Sequence, residues 1–328
     1  MCNWQKKSLL IISLLIGHST ALASEGVLNL LVENDVFTNT DRHYTSGIML
    51  NYVSNIDEGP RRLQRLGVRF PGIEDDDKMH VAVSLGHEIY TPTNIVDPQL
   101  LEDDRPYAGH LYIAAGFTTE NPEEIETWRL SLGLVGPGAR AEIIQNNLHR
   151  EIGSDEALGW DHQLKNEFVL SVAYEKKWLR LARSKTFNNK LEVDLLPYVS
   201  ASVGTPLSYA GLGGMIRIGR GLDHDYGPPR VRPSLPVSQY YERLNGVSWY
   251  IFAGIDVRFI AHNLFLDGNN FDSSHSVDKE NFVGDLQAGV VWNNRKFRVA
   301  YSWIYRTREF KKQDENDIFG SLSMSVHF

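Results

Sequence analysis

The feature that most narrows the possible folds is a two-sided alternation. It recurs in short segments and runs to the end of the chain. In "FGSLSMSVHF", Leu322, Met324, Val326 and Phe328 fall on one side of an extended strand, and Ser321, Ser323, Ser325 and His327 on the other. "KFRVAYSWIYR" sets Phe297, Val299, Tyr301, Trp303 and Tyr305 against Arg298, Ser302 and Arg306. "NEFVLSVAYEKKW" sets Phe168, Leu170, Val172 and Tyr174 against Glu167, Ser171 and Glu175. Successive strand side chains point to opposite faces, so each segment has one apolar and one polar face. A soluble sheet can do this too. A last strand ending on an aromatic, behind a secretory leader, instead points to an all-β transmembrane antiparallel barrel, apolar towards lipid and polar towards its lumen.

The leader is legible at the other end. Lys6 and Lys7 precede the apolar run Leu9 to Ile16, and Ala21-Leu22-Ala23 supplies a small-x-small cleavage signal. Residues 1–23 therefore read as a signal peptide and 24–328 as one outer-membrane barrel. The single cysteine, Cys2, precedes the apolar run, so no disulfide framework is expected. After the leader no apolar run approaches the ~18 residues of a spanning helix. Against 33 Lys and Arg stand 41 Asp and Glu, a net charge of -8. That argues against a nucleic-acid partner and is compatible with anionic lipids bridged by divalent cations.

Strands are expected near 26–34, 44–54, 78–90, 108–119, 123–135, 165–179, 190–204, 208–219, 246–262, 280–293, 296–309 and 317–328, about twelve, an even number as in single-chain bacterial barrels. With a periplasmic N-terminus, 35–43, 91–107, 136–164, 266–279 and 310–316 lie outside. Asn293-Asn294-Arg295 is then a tight periplasmic turn. The long polar segments 55–77 and 220–244 fall on the periplasmic side, which is unusual; "DYGPPRVRPSLP" is too rich in proline for a central strand.

Two stretches carry chemistry. In "LLVENDVFTNTDRHYTSG", Asn34 and Asp35 end the first strand and Thr45 starts the second at the same rim, across a short loop. Asn-Asp also starts ordinary turns. Strict alternation puts Asp35 on the side of Leu31 and Glu33, and Asn34 on the other. In the loop 136–164, residues 139–152 read as a helix, stopped at Gly153. Ile144, Leu148 and Ile152 form an apolar stripe expected to dock on the rim. Gln145 and His149, at i and i+4, share a face beside it. A histidine there can take a proton from water near neutral pH, or can simply sit at a helix C-terminus where its charge is favoured. Trp160 is expected to anchor the loop at the membrane interface. His162 is a weaker candidate, without a helical partner.

Taken together, "END…YTSG", "DDRPYAGHLY" at 103–112 and "QNNLH…GWDHQLKNE" resemble the lipid A 3′-O-deacylase family of outer-membrane barrels, along nearly the whole mature chain. The resemblance implies a twelve-stranded, calcium-dependent hydrolase acting on lipid A in lipopolysaccharide, somewhat as secreted phospholipase A2 acts. His149 would be the general base, with Gln145 one helical turn before it. Asp35 would help hold calcium, Asn34 and Thr45 would sit at the reacting carbonyl, and Arg105 would meet anionic sugar groups. An acidic partner for the histidine is expected shortly after it, at Asp155 or Glu156. A monomer is expected. The rival readings are an acyl hydrolase using Ser46 with a histidine, although no G-x-S-x-G elbow occurs, a porin-like channel lined by Arg298, Arg306 and Glu175, and a structural or adhesive barrel.

Overall fold

A computed structural model describes residues 26–34, 43–55, 78–179, 181–186, 191–228, 241 and 246–328. Residues 1–23, read above as a leader, Asp35 and most of 55–77 lie outside the described residues. Thirteen strands form one antiparallel sheet: β1 (Gly26–Asn34), β2 (His43–Ser54), β3 (Lys78–Thr91), β4 (Ala108–Glu120), β5 (Glu124–Val135), β6 (Glu167–Trp178), β7 (Ala182–Thr186), β8 (Leu191–Gly204), β9 (Leu207–Arg220), β10 (Val247–Asn263), β11 (Phe282–Asn294), β12 (Phe297–Arg306) and β13 (Asp317–His327). Twelve of them are the expected strands, with ends shifted by a few residues. The additional one, β7, continues the line of β6 along β8: Lys177 faces Tyr198 and Ala182 faces Leu195. The first and last strands pair from Val27↔His327 to Asn34↔Gly320, and β6 pairs with β8, so twelve long strands close a barrel without a free edge.

The alternation decides which side is which. On β4, Leu111 and Ile113 are exposed while His110 and Tyr112 are buried; on β3, Val83 and Leu85 are exposed while Ser84 and Glu88 are buried. The apolar set is the outer belt and the polar set fills the lumen. Lumen charges are paired: Arg306 Nε donates to Asp285 Oδ1 at 2.9 Å, Arg258 Nη2 to the same oxygen at 2.9 Å, and Arg217 Nε to Asp194 Oδ1 at 2.9 Å.

Both ends of the lumen are filled. At the inner end, residues 221–228 turn inward. Asp225 accepts from Tyr250 Oη at 2.6 Å and lies 2.6 Å from Arg298 Nε. Lys177 Nζ donates to the Tyr226 carbonyl at 2.9 Å, and Tyr226 and Tyr241 pack with Val27, Val53, Ala82 and Ile125. Part of the polar periplasmic segment, residues 221–228 with Tyr241, is thus an inner plug. At the outer end the short helix α2 (Leu264–Asp267) buries Leu264, Phe265 and Leu266. Phe265 stacks on Tyr90 at 4.3 Å, in a cluster with Ala108, Val135, Leu164, Val169, Ile304 and Phe319. The channel reading needs Arg298 and Arg306 to line open water; both are instead buried in ion pairs.

Candidate active site on the outer wall

One row of outward positions crosses four strands near the outer rim: Asn34↔Ser46, Ser46↔Ile89 and Ile89↔Gly109. Glu33 and Leu31 point into the lumen and are fully buried, so the alternation correctly sets Asn34 on the opposite face. The β2–β3 register jumps from Tyr44↔Tyr90 to Ser46↔Ile89, which leaves Thr45 in a bulge. Such an insertion re-aims side chains at a strand end and is frequent beside active sites.

The loop after β5 folds back onto the outside of this wall. Gly136 N donates to the Gly109 carbonyl at 3.0 Å. His87 Nε2 donates to the Ala139 carbonyl at 2.9 Å. Helix α1 (Ala141–Ile152) starts from Arg140, in the left-handed region at φ 61, and stops at Gly153, at φ 78. Gly109 is required here: a Cβ on it would lie 2.5 Å from the Ala141 Cβ.

The face of α1 that meets the wall is turned by about 60° from the expected one. Its buried residues are Ala141, Gln145 and His149, whereas Ile144, Leu148 and Ile152 are exposed. The expectation assumed water around the helix, where an apolar stripe must turn inward; beside a lipid belt it need not. The start of the helix is fixed by a small cluster of Ala141, Ile89, Ile95, Tyr107, Ala157 and Trp160.

His149 is 4% exposed, and its Nδ1 lies 2.5 Å from the Asp155 backbone carbonyl. A carbonyl oxygen only accepts, so Nδ1 carries the proton and Nε2 is the basic nitrogen. The partner that sets the tautomer is therefore main chain. Neither expected carboxylate does so, and Glu156 lies 3.4 Å from Arg150. Gln145 is 2% exposed, and its Oε1 accepts from Trp160 Nε1 at 3.0 Å. An indole N–H is a donor only, which fixes the amide: the oxygen faces Trp160 and the Nε2 donors face elsewhere, with no hydrogen-bond partner among the described residues. Trp160 is thus not an exposed interfacial anchor. It is 2% exposed and lies under the Tyr107 ring at 4.8 Å. Asn146 ties the following strap to the helix, donating to the Ala157 carbonyl at 3.1 Å and accepting from Ala157 N at 2.9 Å. Sequence reasoning passed over Trp160 as a site element and Asn146 altogether, because neither residue type signals its partner at a distance.

Arg105 does not join this site. It is 1% exposed, 4.8 Å over the Tyr90 ring, and donates to Glu309 Oε2 at 3.2 Å. It belongs to the outer end of the lumen, because a buried guanidinium needs a carboxylate partner and Glu309 provides one there. His162 is exposed, outside the buried face of the helix.

A closed antiparallel barrel, apolar on its outer belt and polar in its lumen, with a helix laid on the outer wall, defines an outer-membrane protein. The profile of the family described as outer membrane protein LpxR matches residues 9–328, and the chain belongs to that family. The family is one of lipid A deacylases, the same that the three sequence motifs resemble. Among solved structures, LpxR from Salmonella typhimurium superposes with a TM-score of 0.72 at 19% identity, covering 92% of this chain and 100% of that one. The β-domain of the Bordetella autotransporter BrkA reaches 0.42 at 11% identity, covering 93% and 98%. The translocator domain of NalP from Neisseria meningitidis reaches 0.37 at 9%, covering 99% and 95%. The comparison with curated proteins returns no match.

Proposed function

We propose that this chain, as a single barrel in the outer membrane, removes the 3′-linked acyloxyacyl group of lipid A by attack of a histidine-activated water on the ester. One observation carries the reading: Gln145 and His149 are buried, on the face of α1 that meets the wall at Ala141, while the apolar stripe beside them is left exposed. Burying a polar group without a hydrogen bond costs free energy, and the Nε2 donors of Gln145 have no partner among the described residues. Supporting it, the row Asn34, Ser46, Ile89, Gly109 spans ~14 Å of wall, and His149 lies ~12 Å along α1 from Ala141, which covers the Ile89–Gly109 end.

His149 Nε2 takes a proton from water, and the oxygen so activated attacks the ester carbonyl carbon. The bond from that carbon to the 3′ oxygen breaks, the proton passes from His149 to the 3′ oxygen, which stays on the sugar as a hydroxyl, and the acyl group leaves as a carboxylic acid. Gln145 offers Nε2–H to the water or the carbonyl oxygen, and Asn34 and Thr45 position the ester. Among the described residues no group of three His, Cys, Asp or Glu could hold a metal ion. The rim does offer hard oxygen donors, the amide of Asn34, next in sequence to Asp35, and the hydroxyl of Ser46, opposite Asn34, and these suit calcium. Asp35 would hold the ion with Asn34. Bound there, it supplies positive charge for the developing oxyanion.

The test is mass spectrometry of lipid A from cells making each variant. His149→Ala should lose ~10²–10⁴ of the rate while the barrel still folds, and Asp35→Ala and chelation should each abolish the product. A second reading is favoured by Ser46 standing in the same row as Asn34: Ser46 as nucleophile. Activity that survives chelator but is lost in Ser46→Ala would establish that reading instead.

A further inference from the structure

The exposed apolar stripe on α1 has no place in the chemistry above. Successive helical residues are about 100° apart, so the line Ile144–Leu148–Ile152 runs about 60° round the helix from the wall-facing line Ala141–Gln145–His149. Asn146 lies about 160° from Leu148, on the other flank, and that flank carries the strap. Through Asn146 the strap is bonded to the helix at Ala157, and its Leu158 N donates to the Ile95 carbonyl at 2.8 Å. Ile95 belongs to the outer loop 92–107, above the rim. The strap flank therefore looks towards the outer loops, and the stripe, opposite it, looks down the wall. Leu111 of the lipid-facing belt is two residues below Gly109, ~7 Å along β4, with Ile113 below it and Leu85 on the next strand, all exposed.

The geometry points to α1 as an interfacial helix whose Ile144–Leu148–Ile152 edge rests among the acyl chains of the outer leaflet, continuing the barrel's lipid belt up to the site. The occupant is lipid, because the stripe is the uppermost course of a surface that already faces lipid. A helix lying in a membrane interface sinks its apolar face ~5–10 Å into the headgroup–acyl boundary, which matches the step from Gly109 to Leu111. Resting on the reading proposed above, this edge is the threshold over which a substrate chain passes from the leaflet to His149 without crossing water.

The experiment reads contact and not activity, so it stands or falls separately from the deacylase reading. Cys2 is the only cysteine, so in a Cys2→Ser background single cysteines at Leu148, Ile144 and, on the strap side, Arg150 can carry bimane. Each protein is reconstituted in phosphatidylcholine vesicles with and without brominated acyl chains, and folding is checked by heat-modifiable gel mobility. The Leu148 and Ile144 probes should lose most of their fluorescence to brominated lipid and little to aqueous iodide, and the Arg150 probe should do the reverse. Quenching of all three by iodide alone would overturn the inference. So would a Leu148 probe shielded from both quenchers only at high protein density, which would mark a second copy of the chain. As a separate readout, Ile144→Ser with Leu148→Ser should lower turnover of lipid A in vesicles several-fold more than in detergent micelles.

Discussion

At the level of single residues, the site depends on two hydrogen bonds whose direction is not open to choice. Trp160 can only donate, so Gln145 must present its oxygen to it and its Nε2 away from it. In Trp160→Phe the ring packing is retained and the donor is lost. A buried acceptor left unmade costs ~1–3 kcal/mol, and the amide is free to turn over. Turnover should fall about tenfold or more with a small change in KM, since a misoriented amide costs ~1.4 kcal/mol or more in the transition state; a loss seen only in folding yield would show Trp160 to be packing alone. His149 is held by a main-chain carbonyl, so Asp155→Ala and Glu156→Ala should each retain near-normal turnover and an unshifted pH profile. A large loss in either would restore the carboxylate partner anticipated from the sequence. A sequence displays side chains, and the acceptor at Nδ1 is backbone, which spacing alone does not show.

Among the elements, the strands were legible because barrel segments keep strict period two between lipid and lumen, and no competing burial interrupts it. The helix was legible as a helix, from its apolar spacing and its glycine stop, but not in its orientation. Spacing tells that Ile144, Leu148 and Ile152 share a side; only the surrounding solvent tells where that side turns, and a membrane inverts the usual answer. Trp160 was misplaced for a related reason, since a loop tryptophan in a barrel suggests an interfacial girdle until its buried acceptor is known. The strap is the element that converts this helix into a positioned one. Asn146→Ala removes both bonds to Ala157, ~1 kcal/mol each, without touching Gln145 or His149. Hydrogen exchange at the Ala157 amide should speed up markedly and turnover should drop, with the rest of the barrel equally protected; unchanged exchange at Ala157 would mean that the strap is held by Ile95 and Trp160 instead.

For the whole molecule, the outer mouth is fastened by charge. Asp267 accepts from Asn263 N at 2.8 Å and lies 2.8 Å from Lys279 Nζ and 3.1 Å from His262 Nδ1. Burial alone would raise its carboxyl, but the bonds from His262, Asn263 and Lys279 outweigh that and hold it at about 2 against an ordinary 3.8. Burial also acts to raise Glu309, and the cations Arg306 and Arg105 prevail and lower it. A depressed carboxylate stabilises the fold fully above its unfolded value and loses that contribution as pH falls through the folded one. Asp267→Asn should therefore unfold at a lower temperature than the parent at pH 7, with the gap closing between about pH 4 and pH 2. A gap that persists at pH 2 would place the stabilisation elsewhere. None of this fastening was legible in the sequence: the partners of Asp267 share one loop and the strand end before it, which carry no periodicity for such pairs, and Arg105 reaches Glu309 from a loop far away in the chain.

The inner plug has a consequence in time. Tyr241 Oη donates to the Lys296 carbonyl at 3.0 Å, and His327 Nε2 donates to the Tyr241 carbonyl at 2.8 Å. The residue that seats the plug is thus bound by the turn before β12 and by the last strand, the part of the chain synthesised last. Contacts so distant in sequence form late, after the intervening loop entropy has been overcome. Asp225 is held by Tyr250 and Arg298, which precede β13, so the seating of Tyr241 is the part of the plug that is completed only when the last strand is in place. A chain halted before β13 would lack the bond from His327, and in each finished copy that bond marks the last strand as in place.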